Sequence, residues 1–439
     1  DWLIGMNLSR LFTLLGRRAG YDGVLSVGRV QTPTLRLVVD RDRAIASFVP
    51  VPYWDVVVHL SSMEQRFSAS WVPPSSERDD AGRCLQQALA RQAVQVITVG
   101  KLATVLSMQT EHCREAPPLP FDLSTLQEVC SRKLGLGVQD GLNIAHALYE
   151  THKATTYPRS DCRFLPESMF DEVPAVLEAL LTTDPALQTA LGRLDRSLRS
   201  RVWNDAKVTA HHGIIPTTEP ANLARMSEAE RQVYELIRSH YLAQFLPHHE
   251  FDRTQVELEC GGQHLTAVGK QIRVYGWKGL LDDSTEDDES RQKSQVLPAL
   301  QQGTQCPVND VELKALRTAA PRPLTEGDLI KAMKNVAKLV NDPRLKQKLR
   351  DTTGIGTEAT RASIIKGLID RGYLLKNKRA LMASAAAHTL IEAVPAAVAD
   401  PGMTAIWEQA LDEIEAERLT LEEFVAKQAS WIAQLIEHC

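Results

Sequence analysis

At 439 residues the chain can hold roughly two to four domains with buried cores, and 44% apolar with 24% charged residues is a globular composition. Apolar runs such as Ala393–Ala399 are too short to cross a membrane, and no basic start followed by an apolar run marks a signal peptide. The seven cysteines form no CxxC pair, which argues against a zinc ribbon and fits a reducing cytoplasm. The net charge of −5 disfavours a nucleic-acid partner unless cations are locally concentrated.

The charge is uneven. Asp282–Glu289, DDSTEDDE, carries six carboxylates, and leaving them out brings the net charge to +1. Basic residues concentrate in Arg10–Arg43 and Lys331–Arg379, so a channel of positive potential is open to the fold. The chain opens on Asp1-Trp2, without an initiator Met and inside a helical pattern, and reads as a piece of a longer protein.

Trp2, Leu3, Met6, Leu11 and Leu14 follow helical spacing up to Gly16 and Gly20. The loop Leu25-Ser26-Val27-Gly28-Arg29-Val30-Gln31 follows, with Thr32 placed to cap a second helix and Pro33 at its first position. A small-residue loop before a helix N-terminus suits phosphate, because backbone amides point outward there. Arg29 can fork onto a phosphate and Gln31 can hydrogen-bond a base edge or backbone. An ordinary corner between two helices accounts for the same residues. Asp40-Arg41-Asp42 has the form of a metal-binding DxD, but it lies in a helical run interleaved with arginines and reads as a solvated, ion-paired face.

From Val49 to about Gln109 the period changes to two. Trp54, Val56 and Val58 alternate, as do Phe67, Ala69 and Trp71, and Val94–Val99 reads as a further strand. Pro73–Asp80 is a short polar loop. About Glu111 to Phe245 is mostly helical, with Asp122 or Ser124 as cap of the helix through Leu126 and Val129.

A helix over Gly141–Lys153 leads to Tyr157-Pro158-Arg159-Ser160-Asp161. A phenol is a weak nucleophile unaided. A cation two positions away can favour the phenolate and hold the anion it attacks. Pro158 pushes Thr156-Tyr157 out of helix, so the hydroxyl sits on a turn. His211-His212 can place one ring beside it for positioning or proton transfer. Most Tyr-Pro pairs are structural, and a structural turn accounts for the same five residues.

From about His248 to Val311 strands return, in Val256–Glu259 and Ile272–Tyr275. The acidic stretch with Ser290–Ser294 reads as a surface loop. Beyond Leu324 the chain is helical, with Thr325 capping through Leu329 and Met333. Asp351–Arg361, DTTGIGTEATR, is a second anion-friendly loop before a helix, and Arg371–Arg379 reads as a turn and hairpin.

The ordered set SVGRVQTP, PLPFDLSTLQ (118–127), LYETHK, TYPRSD, HHGIIPT and GxGTxxTR closely resembles the type IA DNA topoisomerases, nearest the topoisomerase III branch, over nearly the whole chain. The resemblance implies a multidomain α+β toroid. Residues 1–48 and 321–439 would form a helical base, 49–109 and 248–320 a β-rich arch, and 110–247 a helical lid. It implies that Tyr157 attacks a single-stranded DNA phosphodiester and keeps the 5′ end, without ATP. Arg159 and Lys153 would supply the positive field, and His211 would assist. DNA contacts would come from Ser26, Val27, Gly28, Arg29, Val30 and Gln31, and from Gly356, Thr357, Glu358, Thr360 and Arg361.

The outcome implied is relaxation of negative supercoils or decatenation. An insertion tied to decatenation in the family is short here, the family's usual Ala is Gly213, and an aromatic near Leu324 is missing. Magnesium is implied for a Toprim domain expected upstream, not for ligands in this chain. A monomer, with single-stranded DNA as partner and a helicase as candidate partner, completes the expectation. A Toprim-less fragment that only binds single-stranded DNA is the alternative. A tyrosine recombinase needs a different order of Arg, His and Tyr.

Overall fold

The computed structural model describes residues 2–18, 20–281 and 295–438. The acidic block Asp282–Glu289 and Ser290–Ser294 lie outside the described residues, and so does Cys439. No described helix is long and apolar enough to cross a membrane.

Strands β1 (Pro52–Ser62), β2 (Gln65–Trp71), β3 (Leu102–Glu115), β4 (His249–Cys260), β5 (Gln263–Val274) and β6 (Gln305–Arg317) close into an antiparallel barrel in the order β1-β2-β5-β4-β3-β6. The two-residue alternation turns Val56, Val58 and Leu60 of β1 inward, opposite Phe67 and Ala69 of β2 and Val311 of β6. Strand β3 continues to Glu115, past the expected boundary at 109.

Val94–Val99 is not a strand. It belongs to helix α1 of the barrel segment, Gln87–Gly100, whose Ala90, Ala93 and Ile97 are buried at helical spacing in the same apolar cluster as Val56, Val58 and Leu258. A β-branched run follows whichever period its partners can bury, and here the barrel core receives a helix face.

The helical base draws on both ends of the chain. Helix α2 (Trp2–Arg18) and helix α3 (Gln31–Ala46) share one core with α4 (Glu326–Lys334), α5 (Arg361–Asp370) and α6 (Pro401–Glu415). The first helix buries Ile4, Leu8 and Phe12, and of the expected residues Leu3 and Leu11 pack against the same core. Trp2 (76% exposed), Met6 and Leu14 face outward, because this helix carries apolar residues on two sides and only one meets the core. Thr325 and Asp328 form the expected capping box of α4. The hairpin β7 (Leu374–Asn377) and β8 (Ala380–Ala383) is present. Asp40 pairs with Arg36, and Asp42 accepts from the Ala383 amide, so both carboxylates of the DxD are spent structurally.

The segment between the barrel's two halves has its own core, built on Leu126, Leu148, Leu177, Tyr234 and Phe245. Its helix α7 (Leu123–Val129) is capped by Asp122, which accepts from the Thr125 amide at 2.7 Å; Ser124 is used otherwise. Helix α8 (Val138–Glu150) follows. Leu123, Val138 and Leu142 from these two helices are buried in the base core, so this region docks on the base through a small apolar seam.

Candidate active site and nucleic-acid groove

Helix α8 ends as the Ala154 amide donates to the Leu148 carbonyl at 2.8 Å, with Lys153 in the left-handed region at φ 53°. A non-glycine residue there costs about 1–2 kcal/mol. The chain then runs against 213–217. Thr156 N donates to Ile215 O at 2.9 Å, and Ile215 N returns to Thr156 Oγ1 at 3.0 Å. Thr217 N donates to Ala154 O at 3.2 Å, and Thr217 Oγ1 to Lys153 O at 2.6 Å.

This zipper brings together two motifs more than fifty residues apart. Tyr157 is 38% exposed on its turn, and the His211 ring stacks on it at 5.0 Å between centroids with planes 24° apart. Tyr149 meets its edge at 5.6 Å. A ring stacked face to face orients the phenol rather than pointing at its proton. His212 instead turns Nδ1 to the Gly213 carbonyl at 2.9 Å, so the two histidines diverge as expected of adjacent residues. Arg159 is exposed and its Nε donates to His146 Nε2 at 3.0 Å, while Lys153 Nζ lies 5.9 Å from the Tyr149 ring. A Cβ on Gly213 would sit 3.3 Å from Arg163 backbone and Pro120, so an Ala fits only if its neighbours give a few tenths of an ångström.

The two expected DNA loops line one groove of about 790 Å³. Ser26 through Gln31 form one wall and Gly356, Thr357 and Thr360 the other, with Trp2, Met6 and Glu408 between them. Helix α3 starts at Gln31 with Val30 as its cap residue. Thr32 is therefore inside the first turn, where its buried Oγ1 accepts from Gly28 N at 3.0 Å and braces the loop instead of capping. Ser9 and Tyr373 brace it as well, the latter donating to Val24 O and accepting from Ser26 N at 2.6 Å. Gln31 Nε2 donates to Ser26 Oγ at 2.9 Å. Arg29 forms an ion pair with Glu408 and lies 6.0 Å from the Trp407 ring centre. In the second loop Gly354 has φ +94°, and a Cβ would fall 2.1 Å from Met333 O, so only glycine closes this turn.

Glu358 and Arg361 do not face the groove. Arg361 is 0% exposed and spends its guanidinium on Ile355 O, Thr353 O, Ser124 Oγ and Glu358 Oε1 at 2.6–3.1 Å. Glu358 also accepts from the Ser124 amide at 2.7 Å. A charge so enclosed is stable only when fully paired, so this end of the motif is internal. Trp2 and Met6 are the opposite case. Their spacing reads as core, but they line the groove, and a residue before the loop with two apolar faces is the signal that could have found them.

Among the described residues no group of three or more His, Cys, Asp and Glu side chains could hold a metal ion.

The DNA topoisomerase family profile matches residues 1–426. The chain is 40% identical to DNA topoisomerase 3 of Salmonella typhimurium over its whole length, covering 67% of that protein, and 33% identical to DNA topoisomerase 3 of Bacillus subtilis, covering 59% of it. It thus spans about two thirds or less of these relatives. The fold is similar to full-length topoisomerase I from Thermotoga maritima, with a TM-score of 0.71, 24% identity, and 99% of this chain and 66% of that one covered. The chain therefore belongs to the type IA DNA topoisomerases, in their topoisomerase III-like branch.

Proposed function

We propose that this chain carries the nucleophile and the single-strand groove of a type IA DNA topoisomerase. The Tyr157 oxygen attacks a phosphodiester of single-stranded DNA. The bond to the 3′ oxygen breaks, that oxygen takes a proton, and the phenolic proton is lost to solvent. The 5′ end is then held as a phosphotyrosine. Reversal after another strand has passed restores the phosphodiester, and one ester replaces another at each step, so ATP is not needed. The outcome is relaxation of negative supercoils, decatenation, or both.

Arg159 and Lys153 set a positive field for the charge that develops on phosphate. His211 holds the phenol ring, and Ser26–Gln31 with Gly356, Thr357 and Thr360 seat the strand. Exposed Trp2 offers a face for base stacking. Magnesium, where used, belongs to a Toprim domain acting with this chain. A cytoplasmic monomer working beside a helicase is part of the same reading. The observation that carries it is the half-exposed Tyr157 stacked on His211 within a chain of this family.

The test incubates the chain with 3′-labelled single-stranded DNA, with and without magnesium and a separately supplied Toprim domain, and traps adducts with alkali or detergent. An adduct that vanishes in Tyr157→Phe supports the reading. Loss of nucleophile lowers its yield at least ~10⁴-fold. Retained DNA binding with no adduct under any condition favours the binding-only alternative.

A further inference from the structure

The groove and Tyr157 are separate surfaces, and a short stretch of backbone joins them. At residues 121–124, Phe121 O accepts from Ile214 N at 2.8 Å, three residues from His211. Leu123 N donates to Ser160 O at 2.9 Å, three residues from Tyr157. Ser160 is wholly buried and ties its own hydroxyl to Cys162, so the tyrosine turn follows that carbonyl rather than moving around it. The next amide, Ser124 N, leaves this segment and donates to Glu358 Oε2 at 2.7 Å. Arg361 Nη1 reaches the Ser124 hydroxyl at 2.9 Å and Glu358 Oε1 at 2.6 Å. Lys334 Nζ adds contacts to Asp122 at 2.5 Å and Glu358 at 3.8 Å. Glu358 and Arg361 sit in the loop whose Gly356, Thr357 and Thr360 line the groove.

We infer that Glu358 and Arg361 are positioning residues that couple the groove loop to the tyrosine loop through Ser124 and Leu123, so that a single strand seated in the groove sets the placement of Tyr157. A buried ion pair contributes little net stability over an apolar pair of similar size, so its presence here calls for a specific role. The junction it spans is suited to two arrangements. Beside it lies a cavity of about 500 Å³ lined by Asp122, Asp161 and Lys207 on one side and Lys331 and Lys334 on the other. Polar, incompletely filled contacts separate at lower cost than the packed cores on either side.

The inference rests on the groove and nucleophile reading above. The experiment uses the whole chain and a fluorescent oligo-dT, and measures amide exchange over 121–127 and 154–163 with and without it. Glu358→Met/Arg361→Met replaces the pair by apolar side chains of similar length, the exchange that keeps a fold in place. Ser124→Ala keeps the amide to Glu358. In the native chain and in Ser124→Ala, oligonucleotide slows exchange in both stretches. In the double variant, at oligonucleotide concentrations that saturate its own groove, the slowing over 154–163 disappears. Adduct yield with the supplied Toprim domain then falls about 10- to 100-fold, as expected for a displaced nucleophile. Oligonucleotide binding with equal slowing in native and double variant, or with none in the native chain, overturns the coupling alone. Absence of oligonucleotide binding to the native chain overturns the coupling together with the groove reading.

Discussion

The tyrosine loop turns Arg159 and Lys153 outward, whereas the glycine-rich loop turns Arg361 inward, although both segments carry a motif with an arginine near its end. The difference follows from what each loop packs against. Residues 153–157 are zipped edge to edge with 213–217, which spends backbone groups, buries Ala154 and Thr155, and leaves the Lys153 and Tyr157 side chains toward solvent. Residues 353–361 fold around a guanidinium, which takes two of their carbonyls, and are pressed against helix α7. An exposed cation is available to a phosphate; an enclosed one organises the protein around itself.

The sharpest way to break this contrast is to truncate both sides. Glu358→Ala leaves the buried Arg361 charge uncompensated and lowers stability by about 3–5 kcal/mol, read by denaturant unfolding. Arg159→Ala changes stability by less than about 0.5 kcal/mol yet lowers adduct yield. Equal destabilisation by the two would end the distinction. Trp2→Ala tests the groove wall. Loss of a stacking face weakens oligonucleotide binding by about 1–3 kcal/mol. Because the indole is 76% exposed, the melting temperature stays put.

Lys153→Gly relieves a left-handed residue by about 1 kcal/mol, offset in part by the entropy of glycine in the unfolded chain. Stability by calorimetry holds or rises slightly while cleavage drops, the signature of a side chain kept for its charge. The smallest effect concerns Tyr373. Burial raises its phenol above the ordinary value. The folded chain therefore holds that proton more tightly than the unfolded one. Its contribution is full below the unfolded value of about 10 and is lost as pH rises through the higher folded value. Tyr373→Phe removes that alkaline loss, seen as a flatter stability profile above about pH 10.

Much of the fold was legible by period alone. Strands β1, β2 and β4, the end of β5, the Thr325 capping box and the hairpin at 374–383 appear where alternation, cap and turn residues place them, whereas β3 and β6 are not singled out by alternation. Val94–Val99 failed because β-branched residues satisfy either period, and the barrel core accepted a helix. Trp2 and Met6 failed because hydrophobicity along a helix does not say which of two apolar faces the core will take.

The sequence by itself determined the family and singled out Tyr157, His211 and the two loops that share the groove as candidates, since these are local patterns of residue type and spacing. Only the tertiary structure decided which charges of those loops meet solvent. Glu358 finds Ser124 across 234 residues and Arg29 finds Glu408 across 379, and pairing at such separations is set by how helices dock. The energy of a charge depends on its surroundings more than on its identity, so a motif can name Arg361 without telling whether it holds DNA or holds the protein to itself.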